Sequence, residues 1–366
     1  MRVTMTSQRS VFDAVPDELS CTSSKHMHKL FQGRYTRIGT QGPEVDQAFR
    51  SHVAHHLEDI LSLLQSEARY ALDEELGWPE QWTSVPLHRK LRRIVALLTG
   101  RIFVGRPLSR DNEWLKACIN FTEDSERVKN ASLKFNRFIR PFVVPFMPEV
   151  ANAVQNMKKG GKCLEPIVAD VMAQARLNVV GEKRTLPKPG GEGAFMTWIL
   201  DYLPFNDPAN AERLAIDQLI VCFASIYNTT RLLGQVIEDL ASQPELIQLL
   251  REEIEEVVAN NGLVVDEDDN RYLPDSSLSK FEKLHDFVLV SQGSYSDMPE
   301  RRSNPTLAEY EVMVVLVELL QNYEFRLSSA VAEGRSLPLS RGCPKSGKEP
   351  SHDGADVVML EIRRRE

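Results

Sequence analysis

Residues 211–243 read AERLAIDQLIVCFASIYNTTRLLGQVIEDLASQ, and residues 244–262 continue PELIQLLREEIEEVVANNG. The first stretch predicts a helix of about thirty residues, long for a globular domain. The second predicts another helix directly behind it. Pro244 stands at its first turn, where a backbone N–H would have no partner anyway, and Asn261-Gly262 closes it. Toward the N-terminus, LHRKLRRIVALLTGRIF (87–103) predicts a helix that is basic at its start and apolar at its end. A further helix is expected from Asn112 to about Arg137, and residues 150–180 have a helical pattern interrupted at Gly160-Gly161. From Val45 to Leu76, the apolar residues Phe49, Val53, Leu57, Ile60, Leu61 and Leu64 recur at three- and four-residue spacing. This is an amphipathic stripe that Pro79 ends.

Toward the C-terminus, SSLSKFEKLHDFVLV (276–290) predicts a helix with Ser276 or Ser277 as N-cap. LAEYEVMVVLVELLQNYEFRL (307–327) predicts a last, apolar helix, and the Gly/Pro/Ser-rich tail ends in ADVVMLEIRRRE, whose middle has a strand pattern. The connections are an acidic loop (VVDEDDNRYLPDSS), a proline-rich turn (RPFVVPFMPEV) and a surface loop (LPKPGGEG). No internal repeat is visible. The expectation is a mainly α chain.

Composition narrows the class. The 366 residues are 42% hydrophobic and 26% charged, with a mean hydropathy of -0.30. Those values exclude a collagen-like, wholly disordered or multi-span membrane chain. A net charge of -8 argues against a general nucleic-acid binder, which needs a basic footprint. The five cysteines (Cys21, Cys118, Cys163, Cys222, Cys343) are scattered with no CxxC pair, so neither a zinc module nor a disulfide framework is indicated. The first twenty residues lack an apolar signal region and no run reaches the roughly 20 apolar residues of a spanning helix, so the expected location is cytoplasmic.

The order of these segments resembles a fungal cytochrome P450 of the microsomal type used in terpenoid and other secondary metabolism. The resemblance is carried by WTSVPLHRKLRRIVALLTGRIFVGRPLSRDNEWL, FASIYNTTRLLGQVIEDLASQPELIQLLREEI, LSKFEKLHDF and EVMVVLVELLQNYEFRL. It implies a P450-like helical body over residues 31–327, after a loosely ordered segment 1–30 and before a tail 328–366. It also implies haem as cofactor, a hydrophobic small-molecule substrate, cytochrome P450 reductase as electron donor and an endoplasmic-reticulum anchor in intact relatives. In the family the long central helix crosses the haem face and carries an acid-or-amide–Thr pair that delivers protons during oxygen activation. The matching run is Ala224-Ser225-Ile226-Tyr227-Asn228-Thr229-Thr230. Thr229 or Thr230 would supply the hydroxyl, Asn228 stands at the acid position, and Ala224 and Ser225 would face the haem. The alternative is that both threonines simply bond back to carbonyls one turn earlier.

Set against the family pattern, several parts are missing. The haem-ligand cysteine should precede the helix near Glu311; its ungapped position falls on Arg302, and no cysteine lies between Cys222 and Cys343. Cys343 sits in Arg-Gly-Cys-Pro, but Ser336, Leu339 and Lys345 occupy the places of the motif's Phe and two glycines. The Glu-x-x-Arg pair falls on Val290 and Gly293. The N-terminal sheet and the haem-loop and meander region are short or lacking. The expectation is a chain that does not bind haem through a thiolate. The alternatives are a haem-free pseudoenzyme holding a lipophilic ligand, or a non-oxidative enzyme such as a cyclase reusing the cleft.

Other constellations read as structural. His52, His55 and His56 have metal-compatible spacing, with Glu58 or Asp59 nearby, yet the simpler reading is a polar helix face and no metal site. Asp266 to Asp269 read as a solvated acidic loop, RKLRR as a solvated face, and His285-Asp286 with Ser291 as ordinary polar residues.

Overall fold

A computed structural model describes residues 60–136, 138–178, 193, 195, 198, 210–265, 271–292, 306–328 and 358–365. In chain order the elements are α1 (Leu61–Leu76), β1 (Thr83–Pro86), α2 (Leu87–Phe103), α3 (Asn112–Leu133), the short α4 (Arg140–Val143), α5 (Pro148–Asn178), α6 (Asn210–Ala241) and α7 (Pro244–Asn261). There follow β2 (Val264–Val265), β3 (Arg271–Tyr272), α8 (Glu282–Ser291), α9 (Leu307–Asn322), β4 (Tyr323–Leu327) and β5 (Met359–Arg364). The fold is mainly α, as the sequence predicts.

The 32-residue α6 is the axis of the body. It packs on α2, α5, α3, α8 and α9, so its apolar residues are buried on several sides at once. Leu219, Leu233, Val236 and Leu240 are all buried. The expected break at Gly160-Gly161 does not occur: α5 runs unbroken through both glycines and through Pro166. Gly160 serves close packing, since a Cβ there would lie 2.9 Å from Leu219 Cδ1 of α6. Tertiary contact outweighs the roughly 1 kcal/mol that glycine costs a helix interior.

One smaller expectation is also corrected. The helix expected to reach Leu327 ends at Asn322, and Tyr323–Leu327 becomes β4. There Tyr323 and Phe325 are buried while Arg326 is exposed, the alternation of a half-buried strand. Strand β5 pairs antiparallel with both β1 and β4, Leu360 opposite Val85 and Ile362 opposite Phe325, in the order β1-β5-β4. The strand predicted near the end of the tail is therefore the middle strand of the body's sheet. Helix α1 ends at Gly77, whose φ of 64° suits glycine, two residues before Pro79.

The basic run of α2 is ion-paired rather than simply solvated. Arg92 Nη1 lies 2.7 Å from Glu123 of α3, and Lys90 and Arg93 both reach Glu75 of α1, Lys90 at 3.3 Å. Residues 1–59, 179–192 and 329–357, with the segment 266–270, lie outside the described residues.

Candidate functional site

The candidate site is built where α2, α6 and α9 meet. Ser225 and Thr229 are four residues apart on α6 and therefore share one face, with Cys222 one turn earlier on the same side. Thr99 interrupts the apolar second half of α2. Glu311 stands in the largely apolar α9 and is fully buried, at 0% exposure. Thr229 Oγ1 donates to Glu311 Oε2 at 2.7 Å, Ser225 Oγ donates to the same oxygen at 3.3 Å, and Thr99 Oγ1 donates to Oε1 at 3.2 Å. Thr99 and Ser225 hydroxyls also meet at 3.3 Å.

The electrostatics follow from this enclosure. Burial pushes the Glu311 pKa up to about 7, and the three hydroxyls, led by Thr229, pull it partly back. Among the described residues, Glu311 thus has only neutral hydroxyl partners. Other buried carboxylates in the body are held by charge or by backbone. Glu67 pairs with Arg110, Glu75 with Lys90 and Arg93, Glu318 with Arg69, and Glu253 accepts two backbone N–H groups. Chemically, the cluster can hold a proton at a carboxyl and exchange it with a hydroxyl 2.7 Å away.

The sequence-predicted residues divide accordingly. Ser225 and Thr229 are brought into the cluster. Thr230 points about 100° round the helix from Thr229, and its buried Oγ1 has no hydrogen-bond partner. Ala224 and Asn228 share a third face, the first buried and the second half-buried. Neither threonine bonds back along its helix, in contrast to Thr122 and Ser125 of α3, whose hydroxyls donate to the Cys118 and Phe121 carbonyls. Glu311 and Thr99 were not among the predicted site residues. The available signal was an acidic residue inside the apolar run EVMVVLVELL, since a glutamate is almost never fully buried without a partner.

Among the described thiols, Cys118 and Cys222 lie in the packed core and Cys163 is half-buried. Burial pushes the Cys118 and Cys222 thiols well up, and nearby Glu311 raises Cys222 further. Half-buried Cys163 is raised as well, chiefly by desolvation. At the start of α9, Thr306 and Glu309 form a reciprocal capping box. Val290, at the register of the family's buried glutamate, is 53% exposed. Among the described residues no group of three or more His, Cys, Asp or Glu could hold a metal ion, and no helix is long and apolar enough to cross a membrane. His52, His55, His56, Asp266 to Asp269, Gly293, Arg302, Cys21 and Cys343 lie outside the described residues.

Comparison with known proteins agrees with this architecture. By sequence and by fold, this chain belongs to the cytochrome P450 family. It is 35% identical over 280 residues to cytochrome P450 monooxygenase ascG of Acremonium egyptiacum, a match covering 76% of this chain and 52% of that protein. It is 32% identical over 299 residues to cytochrome P450 monooxygenase ataF of Aspergillus terreus, covering 81% of this chain and 56% of that protein. A third similar protein is cytochrome P450 monooxygenase gliF of Aspergillus fumigatus, 34% identical over 73% of this chain and 51% of the relative. The chain thus spans about half the length of the curated relatives it matches. The solved structure of retinoic acid-bound cyanobacterial CYP120A1 superposes with a TM-score of 0.52 over 89% of this chain and 78% of that one, at 14% identity, a likeness of fold. No family model matches the chain.

Proposed function

We propose that this chain is a fungal secondary-metabolism member of the family, of the kind that oxidises a hydrophobic small molecule with haem, dioxygen and electrons from cytochrome P450 reductase. We further propose that the chain as it stands forms no haem–thiolate centre. The first part is supported by the fungal monooxygenases it resembles. The second rests on the inventory of thiols: no cysteine stands between Cys222 and Cys343, and Cys118 and Cys222 are enclosed in the packed core.

Of the two threonines at the family's oxygen-activation position, Thr229 is the one held on an acid. In this reading Thr229 keeps the family's oxygen-activation position, and the acid it meets in this chain is Glu311 of α9. Asn228 and Thr230 stand outside it. The test is spectroscopic. Expressed with ample haem precursor, purified and reduced under carbon monoxide, the chain is expected to give no thiolate-type Soret band. A stoichiometric band of that type would overturn the proposal.

A further inference from the structure

Glu311 is the meeting point of three helices that are distant in sequence, and its setting is unusual in one respect. Its carboxyl is fully buried, yet among the described residues its hydrogen bonds come only from the hydroxyls of Thr99, Ser225 and Thr229. Hydroxyls both donate and accept, so the cradle can solvate either a carboxylic acid or a carboxylate. The charged form, however, must sit in a dry core without a counter-ion, and burial of an unpaired charge is disfavoured.

Most of the described charged and titratable groups around α9 are engaged elsewhere. From α1, Arg69 reaches Glu318, two turns along. From α7, Arg251 donates to the Leu320 and Tyr323 carbonyls. From α6, Cys222 is the titratable neighbour, and burial keeps it a thiol. From α2 the facing group is neutral Thr99. Helix α8 presents half-buried His285 and Asp286. Lys280, in the turn before α8, is exposed and bonds to Asn261. On α9 itself, Glu309 is used by the capping box. The protonation of Glu311 is governed by burial and the three hydroxyls.

We propose that the Thr99–Ser225–Thr229–Glu311 cluster is a proton-operated latch, which holds α2, α6 and α9 together while Glu311 is protonated and loosens that junction when the proton leaves. The sign follows from linkage. In the unfolded chain Glu311 titrates near 4.5, and in the folded chain at about 7. Between these values the folded state binds the extra proton, so stability is complete below the lower value and falls as pH rises through the upper one. A separation of about 2.5 pH units corresponds to roughly a 300-fold drop in the folding equilibrium constant.

This latch is independent of haem binding and is tested on the chain itself. Equilibrium urea denaturation of the wild type and Glu311→Gln is measured from pH 5 to pH 8.5. The neutral glutamine keeps the shape: its amide oxygen accepts hydroxyls on one side and its N–H group donates to the hydroxyl on the other. The wild type is expected to lose stability relative to Glu311→Gln as pH rises over this range, by roughly 70-fold in the folding constant. Parallel profiles would overturn the latch. Should Glu311→Gln fail to fold, carbon-13 NMR of labelled glutamate side chains in the wild type gives the answer directly. One carboxyl titrating near neutrality is expected; all carboxyls titrating in the ordinary acidic range would overturn it.

Discussion

Replacing Glu67 by alanine is expected to destabilise the fold by about 3–5 kcal/mol, the range for stripping one partner from a buried ion pair. Glu67, on α1, has 0% exposure. Arg110 grips it with two parallel bonds, Nε to Oε1 at 3.0 Å and Nη2 to Oε2 at 2.8 Å, and buried Arg101 approaches the same carboxylate at 3.8 Å. The Arg110 guanidinium also lies 3.5 Å from the Tyr70 ring centroid, which fixes its plane. The deletion would leave two guanidiniums beside a cavity, one of them in the core. Denaturant unfolding of Glu67→Ala, with Arg110→Ala and the double variant completing a cycle, measures the coupling. A loss under about 1 kcal/mol would place this pair with ordinary surface bridges and refute the assignment.

Replacing Glu253 by alanine is expected to cost about 2–4 kcal/mol and to loosen α8 first, because it removes two charge-assisted bonds from a helix start. Glu253 is buried on α7, and its two oxygens accept the backbone N–H groups of Lys283 and Leu284 at 2.7 and 2.9 Å. A carboxylate there also complements the positive end of the α8 dipole. Amide hydrogen exchange should accelerate in residues 282–291 more than in α6. Uniform protection across both helices would contradict this role.

The α8 cap also marks a limit of sequence reading. The run SSLSKFEK suggests a serine cap, and the helix with its approximate start is legible there. In the folded chain residues 275–280 form a 3-10 turn, the Ser277 hydroxyl is buried without a partner, and the cap comes from thirty residues upstream. The same holds for RKLRR: a local run of positive charge reads as a solvated face, while its partners Glu75 and Glu123 sit on other helices. For the strand β4, alternation over five residues is too short to outweigh the helical pattern of the sixteen before it. Only its pairing with β5 separates the two states.

What the sequence determined by itself is the set of helices and their order. The starts and stops of α2, α7 and most of α6 are legible because helix periodicity, Pro244 and Gly262 act over a few residues. The order of those helices was enough to expect the family and a mainly α body. The tertiary structure alone decided what the polar residues inside those helices do. Thr99, Ser225, Thr229 and Glu311 lie 82 to 212 residues apart across the hydrogen bonds that reach the carboxyl. No local pattern encodes that convergence. It arises because close packing of three helices excludes water from the carboxyl and brings three hydroxyls to it.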